Sequence, residues 1–358
     1  MNDESVKIIR PEIAGLKPYQ SPHFKWRVKL DLNESPFDVP PEVKQEVWER
    51  VESLQWQRYH DEFERPLIEQ LGNYENHDPD GVLIGNGSNE LIFHSLLSVI
   101  RHGDTVVIPE PTFSLYRQNV TILGARAETV MLGAGDFSLD TEALLSRAAE
   151  LDARAIVLCS PNNPTANLLS NESVEQVCRR FDGLVVADEA YAQFADNNAF
   201  DLLASCPNLV ILRTFSKAFG LAGLRFGYLL ARPELAREIG KVQLPHHVGF
   251  FTQLAATALL NNASVMEQRV ASLVAEREKL IERLGKIEGV SPLPSQSNFI
   301  LIESTAIKAP KLFERLLEQG VLIRNVSNYP GLSRYLRITV GDARENDELI
   351  GALGEVLA

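Results

Sequence analysis

Cysteine is scarce in this chain. Only Cys159, Cys178 and Cys206 occur among 358 residues, far apart and with no C-x-x-C. That spacing argues against a disulfide framework and for free thiols in a reducing compartment. Positive charge is also in short supply. Against 48 Asp and Glu stand 35 Lys and Arg, a formal net charge of −13. Neither nucleic acid nor an anionic membrane is expected as a main partner. An anionic small molecule would have to be held by a local cluster of arginines. No apolar run reaches the length of a membrane span, and there is no internal repeat or low-complexity tract. The opening residues, Met1-Asn-Asp-Glu-Ser5, are acidic and carry no apolar stretch, so no secretory leader is expected and the cytoplasm is the expected location. His246 and His247 lack ligand-like spacing to another His or Cys. They read as helix-end or interface residues, and no metal is expected.

What is present suits a globular protein of one large and one small domain: 45% hydrophobic and 23% charged residues. Prolines 11, 18, 22, 36, 40 and 41 break up the first 40 residues, which hold one short alternating strand, Val28 to Leu32. This arm is too polar to fold alone. Pro41 opens a helix whose inner face is Val43, Val47 and Val51. Apolar runs then alternate with helical stretches: Val82–Ile84, Thr105–Ile108, Ala155–Cys159, Leu184–Ala187 and Asn208–Leu212. This alternation argues for an α/β fold with a parallel sheet covered on both faces. After residue 230 the texture changes. Helices near 251–261, 264–286, 310–319 and 344–357 and strands at Asn298–Ile302, Val321–Arg324 and Tyr335–Val340 describe a smaller α+β unit.

In a parallel sheet the ligand lies at the carboxyl ends of the strands, and the unusual sequences fall there. Gly85-Asn-Gly-Ser88 follows the first strand and leads into a helix, where free N–H groups and the helix dipole favour an anion or simple capping. Phe113 and Tyr116 follow the second, and either could stack on a flat ligand. Ser160-Pro-Asn-Asn-Pro164, Asp188-Glu-Ala-Tyr191 and Ser216-Lys217 follow the others. Lys217 sits among small and apolar neighbours, so its amine should deprotonate easily and act as a nucleophile toward an aldehyde. Arg225, after Leu221-Ala-Gly-Leu224, suits a phosphate. Asp188 follows an apolar run and needs a positive partner, which a protonated ring nitrogen would supply. Together these residues describe a pyridoxal phosphate site.

The motifs Asn33-Glu-x-Pro36, Ser160-Pro-Asn-Asn-Pro-Thr165, Asp188-Glu-Ala-Tyr191, Thr214-x-Ser-Lys-Ala-x-Gly-Leu-Ala-Gly-Leu-Arg225 and Leu336-Arg-Ile-Thr-Val-Gly341 cover nearly the whole chain. They resemble those of the fold-type I pyridoxal-phosphate aminotransferases, most closely the histidinol-phosphate branch. Pro18-Tyr-Gln-Ser21 and the pairing of Ile323-Arg324 with Leu336-Arg337 carry that narrower likeness. The resemblance implies a mostly parallel seven-stranded sheet in a large cofactor domain (41–240), a small C-terminal domain (241–358), and an arm (1–40) packing on the small domain and a partner subunit.

It also implies roles. Lys217 would hold the cofactor and shuttle the α-proton, with Asp188 on the ring nitrogen. Asn163 and Tyr191 would face the ring 3-oxygen, and Phe113 would stack on the ring. Ser88, Asn89, Ser216 and Arg225 would form the phosphate cup. Tyr59 would reach the phosphate of a neighbouring subunit in a homodimer. Tyr19, Asn33, Arg324 and Arg337 would meet the substrates, implied to be L-histidinol phosphate and glutamate/2-oxoglutarate. A broad aromatic aminotransferase and an amino-acid-phosphate decarboxylase are the alternative activities. Two departures stand out. Ala166 occupies a position where the family usually has glycine, so the backbone there is expected to differ. Pro22-His23 replaces the more usual Ala-Arg.

Overall fold

The computed structural model describes residues 8–18 and 24–358. Tyr19, Pro22 and His23 lie outside the described residues. Two sheets organise the rest. The larger contains β2 (Val82–Gly85), β3 (Thr105–Glu110), β4 (Arg126–Met131), β5 (Ala155–Cys159), β6 (Leu184–Asp188), β7 (Leu209–Thr214) and β8 (Gly227–Leu230). The smaller contains β1 (Val28–Leu30), β9 (Val290–Pro292), β10 (Phe299–Ser304), β11 (Val321–Asn325) and β12 (Tyr335–Thr339).

The large sheet runs β2-β8-β7-β6-β5-β3-β4. Every pairing is parallel except those of β8, which opposes both neighbours. β5, β6 and β7 are buried at every position, as strands covered by helices on both faces must be. Val210, Ile211 and Leu212 are each fully buried, contributing about 1.5–3 kcal/mol apiece. One core lies on each face of this sheet, built on alternate residues of the same strands: Val185 and Ile211 on one side, Val186 and Val210 on the other.

The small sheet has the order β1-β11-β12-β10-β9. Its first strand comes from the N-terminal segment and pairs parallel with β11, Leu30 opposite Ile323. The segment just before it is also docked. Arg10 donates to the Ile122 carbonyl at 2.6 Å, on the helix Leu115–Ile122 of the large sheet's layer. The N-terminal residues therefore contact both the small sheet and the helical layer of the large one. The helix Phe250–Asn261 packs against Pro41–Glu52 and Glu64–Glu75. The last helix, Ala343–Leu357, opens with a capping box between Asp342 and Glu345, satisfying two of its free N–H groups. No helix among the described residues is long and apolar enough to cross a membrane.

Candidate active site

The carboxyl ends of β2, β3, β5, β6 and β7 lie along one edge of the large sheet. Cys159 pairs with Asp188 in register, and Asp188 with Leu212. Against this edge lies a cavity of about 390 Å³, within the range that holds small ligands. It is lined by Asn33, Ser88, Asn89, Phe113, Asn163, Asp188, Tyr191, Ser216, Lys217, Arg225, Arg324 and Arg337. Twelve of the fourteen residues singled out from sequence thus meet in one place. Tyr59 is not among the lining residues, and Tyr19 lies outside the described residues.

Lys217 is half-buried on the loop after β7. Its Nζ donates to the Leu32 carbonyl at 2.8 Å. Its pKa is lowered to about 7, first by burial and then by the positive charge of Arg337, with Arg225 adding to it and Glu34 opposing. A neutral amine near pH 7 is a nucleophile and a base. The preceding strand is anchored from behind. Buried Arg213 grips Glu189 through Nε and Nη2 (3.1 and 2.9 Å) and also pairs with Glu75.

Asp188 is buried at the tip of β6. Burial pushes its carboxyl up to about 6, while hydrogen bonds from the Tyr116 hydroxyl and the Ala190 amide work in the opposite direction. Tyr116 donates to Oδ2 at 2.6 Å and Ala190 N–H to Oδ1 at 3.1 Å. This carboxylate has neutral partners only, and a cation facing it would stabilise its charge. Tyr116, which the sequence offered beside Phe113 as a ring-stacking aromatic, is instead the hydrogen-bond partner of Asp188. It is fully buried, and its own pKa lies well above normal because of burial and the Asp188 charge, so it remains a donor. Phe113 and Tyr116 both line the cavity, edge-on to one another at 5.6 Å, but Phe113 is the more exposed ring and Tyr116 is the one whose hydroxyl is spent on Asp188. The signal was the three-residue spacing. Phe113 precedes the helix Leu115–Ile122 and Tyr116 lies in its first turn, turned beneath the sheet edge.

Tyr191, also buried, accepts from Asn33 Nδ2 at 2.9 Å. Asn163 Oδ1 accepts from Arg337 Nη1 at 2.6 Å. Arg337 sits on β12 over the Phe299 ring at 5.2 Å, and its buried Nε has no hydrogen-bond partner among the described residues. It is therefore an inward-facing residue rather than an exposed edge charge. Arg324 pairs with it in register across β11 and β12. Tyr329, in the loop between those strands, also lines the cavity and was not foreseen.

The phosphate-cup residues group at the other end. The helix Ser88–Leu97 begins after Gly87, at φ 82°. A Cβ on Gly87 would meet an Arg225 guanidinium nitrogen at 2.4 Å, so only glycine leaves this cradle open. Arg225 Nη1 donates to Ser216 Oγ at 3.2 Å. Free helical N–H groups, two hydroxyl-bearing serines and an arginine suit a phosphate. With the buried Asp188 carboxylate lacking a cation and the softened Lys217 amine, these residues fit pyridoxal phosphate.

Ala166 corrects an expectation. The backbone there does not differ from the left-handed turn: Ala166 itself adopts φ 63°, fully buried, its N–H bonded to the Asn162 carbonyl at 2.7 Å. A non-glycine residue in this region is strained by about 1–2 kcal/mol, partly offset here by burial of the methyl group.

The family model of aminotransferases class I and II matches residues 27–353. The chain is 37% identical over 350 residues to the histidinol-phosphate aminotransferase of Thermoanaerobacter sp. (strain X514), covering 98% of this chain and 99% of the relative. It is 37% identical over 344 residues to that of Thermococcus gammatolerans, covering 96% of both. Among solved structures it is similar to the histidinol-phosphate aminotransferase from Sinorhizobium meliloti in complex with pyridoxal-5'-phosphate, with a TM-score of 0.87 and 28% identity over 98% of this chain and 97% of that one.

Proposed function

The chain belongs to the class I and II aminotransferases, and we propose that it transfers the amino group of L-histidinol phosphate to 2-oxoglutarate, giving imidazole acetol phosphate and L-glutamate for histidine biosynthesis. The observation that carries this reading is the pair Arg324 and Arg337, side by side in register on β11 and β12. They line the same cavity as Ser88, Asn89, Ser216 and Arg225, the residues that would hold the cofactor phosphate. A second anion site is what a phosphorylated amine and a dicarboxylic acid, bound in turn, both require.

The bound pyridoxal phosphate supplies a conjugated electron sink for the charge left when a proton departs from the substrate carbon. The chain's own residues do the rest. Asp188 holds the pyridine nitrogen in its cationic form, and Tyr116 keeps the carboxylate turned toward it. Tyr191 and Asn163 hydrogen-bond the ring oxygen, Phe113 covers the ring face, and Ser88, Asn89, Ser216 and Arg225 bind the phosphate. Lys217, with an amine that titrates near neutrality, would act as general base toward the substrate α-proton and as general acid when that proton is delivered to the cofactor carbon on the other side of the shared nitrogen. Arg324 and Tyr19 meet the substrate phosphate. Arg337 takes the α-carboxylate of glutamate and, through Asn163, links substrate binding to the cofactor's polar edge. Asn33 braces Tyr191.

The working unit in this reading is a cytoplasmic homodimer with shared sites. Trp48, Trp56, Tyr59 and Leu244 are each more than half exposed. An apolar groove of about 760 Å³ opens beside Trp48, Leu224 and Phe251. Exposed apolar surface of this extent marks an association site. Tyr59, exposed beside this region, would in this reading reach a neighbour's cavity.

The reaction class is tested with the cofactor-loaded protein and an amino acid phosphate. With O-phosphothreonine and no oxo acid, no carbon dioxide is expected. Its steady release would identify a decarboxylase and refute the transfer.

A further inference from the structure

His246 has no place in the chemistry above, yet it is held in an unusual way. Its φ is 56°, a left-handed conformation that non-glycine residues seldom adopt without compensation. Its ring lies flat on Tyr59, centroids 4.1 Å apart and planes 17° from parallel. Its Nδ1 is 2.8 Å from Asp61 Oδ1, two residues beyond Tyr59. One histidine thus contacts both the tyrosine ring and the loop that carries it.

The surroundings make this contact a fixed platform. His60 is pinned between the Gln55 carbonyl (3.0 Å) and Glu62 (2.9 Å), with its ring edge-on to Phe250 at 5.1 Å. His247 hydrogen-bonds the Ile84 carbonyl at 2.9 Å, and its own carbonyl accepts from Asn86 Nδ2 at 2.5 Å. Residues 246–247 are thereby tied to the end of β2, the strand that leads into the phosphate cradle. Tyr59 is the exception: its side chain is 78% exposed, and among the described residues its hydroxyl makes no hydrogen bond. An exposed tyrosine on a loop would sample several rotamers. Ordering it on binding would weaken whatever contact it makes.

We propose that His246 is a positioning residue for the shared site: it stacks on Tyr59 and holds that side chain ready to bond the cofactor phosphate in the partner subunit. This rests on the reading that Tyr59 acts across the dimer. The chemistry is a neutral hydroxyl donating to a phosphate dianion, with the donor's orientation set beforehand by an aromatic stack. Such pairs contribute beyond simple burial, and the gain here is preorganisation of the hydroxyl.

The test is the affinity of the apoprotein for pyridoxal 5'-phosphate, followed by fluorescence titration, with dimer formation checked by sedimentation. His246→Asn keeps a residue that tolerates the left-handed backbone but lacks the ring. It is expected to weaken cofactor binding roughly three- to ten-fold, the size an aromatic stack supports, with dimerisation unchanged. His246→Phe restores the stack without the Asp61 contact and is expected to stay within about two-fold of the parent. Tyr59→Phe removes the hydroxyl, and in that background His246→Asn should add no further loss. Tyr59→Phe binding like the parent would overturn the shared-site reading and this proposal with it. Weakened Tyr59→Phe beside an unaffected His246→Asn, additive losses, or failure of His246→Phe to restore affinity would overturn the proposal alone.

Discussion

Replacing Lys217 by methionine is expected to lower transamination by roughly 10⁴-fold or more, because one side chain both holds the cofactor and moves the proton. The methionine stem fills the same space, so the loss reports chemistry and not collapse of the cavity. The same substitution has a second readout in the apoprotein. The Lys217 amine titrates near 7 in the fold, against 10.5 when unconstrained. Between those values the unfolded chain binds more protons than the folded one, so stability rises with pH. Below about pH 7 both states are charged and the penalty of the buried cation is complete. Near 10.5 it vanishes. The parent should therefore be less stable than Lys217→Met at pH 6, and the gap should close by pH 10 at no more than about 1.4 kcal/mol per unit. Urea midpoints of the two apoproteins at pH 6, 8 and 10 measure this. A gap independent of pH would show that the amine is not the buried titrating group.

Asp188→Asn is the other large effect expected. The variant keeps the shape and one acceptor, for the Ala190 N–H, but its amide nitrogen must donate to the Tyr116 oxygen instead of accepting from it, and the charge is gone. A buried cation left without its counter-charge is destabilised by about 3–5 kcal/mol, so turnover should fall by about 10²- to 10³-fold. Cofactor affinity should fall much less, since the phosphate cup is untouched. Near-normal turnover in Asp188→Asn would mean that the ring nitrogen does not depend on this carboxylate.

Much of this was legible in the sequence because the large sheet advertises itself. Buried parallel strands must be apolar on both faces, and β5, β6 and β7 read as unbroken apolar runs. Their carboxyl ends then collect the chemistry, so Asn163, Asp188 and Lys217 could be placed together before any coordinates. β4 escaped notice because Arg126–Met131 is an edge strand with no fully buried residue, and its pattern resembles a loop. β8 escaped because four residues behind a glycine-rich turn are too few to show a period. It is also the one antiparallel strand of its sheet, which alternation of strand and helix cannot announce.

Side-chain direction was the harder part. Phe113 and Tyr116 are both aromatics after the same strand and both line the cavity, and only the start of the helix at Leu115 sets the buried ring that bonds Asp188 apart from the more exposed one. Arg337 could be assigned to the substrate only through the family resemblance, because its strand neighbours are apolar and do not show which way it points. Its burial becomes intelligible once Asn163 and the Asp31 carbonyl, from distant segments, are seen to accept its hydrogen bonds. Ala166 shows the limit of residue-type rules. A left-handed turn favours glycine, yet the surrounding contacts hold alanine there.

The account's central claim is an amino-transfer site built for a substrate with a phosphate at one end. The most direct measurement is kcat/KM for L-histidinol phosphate against phenylalanine and tyrosine, with 2-oxoglutarate as acceptor and the cofactor-loaded protein. Arg324 predicts a preference for histidinol phosphate of roughly 10²-fold or more, since phenylalanine and tyrosine can meet Arg337 through their α-carboxylates but leave Arg324 without an anion. Equal values for phenylalanine or tyrosine would contradict it and identify a broad aromatic aminotransferase.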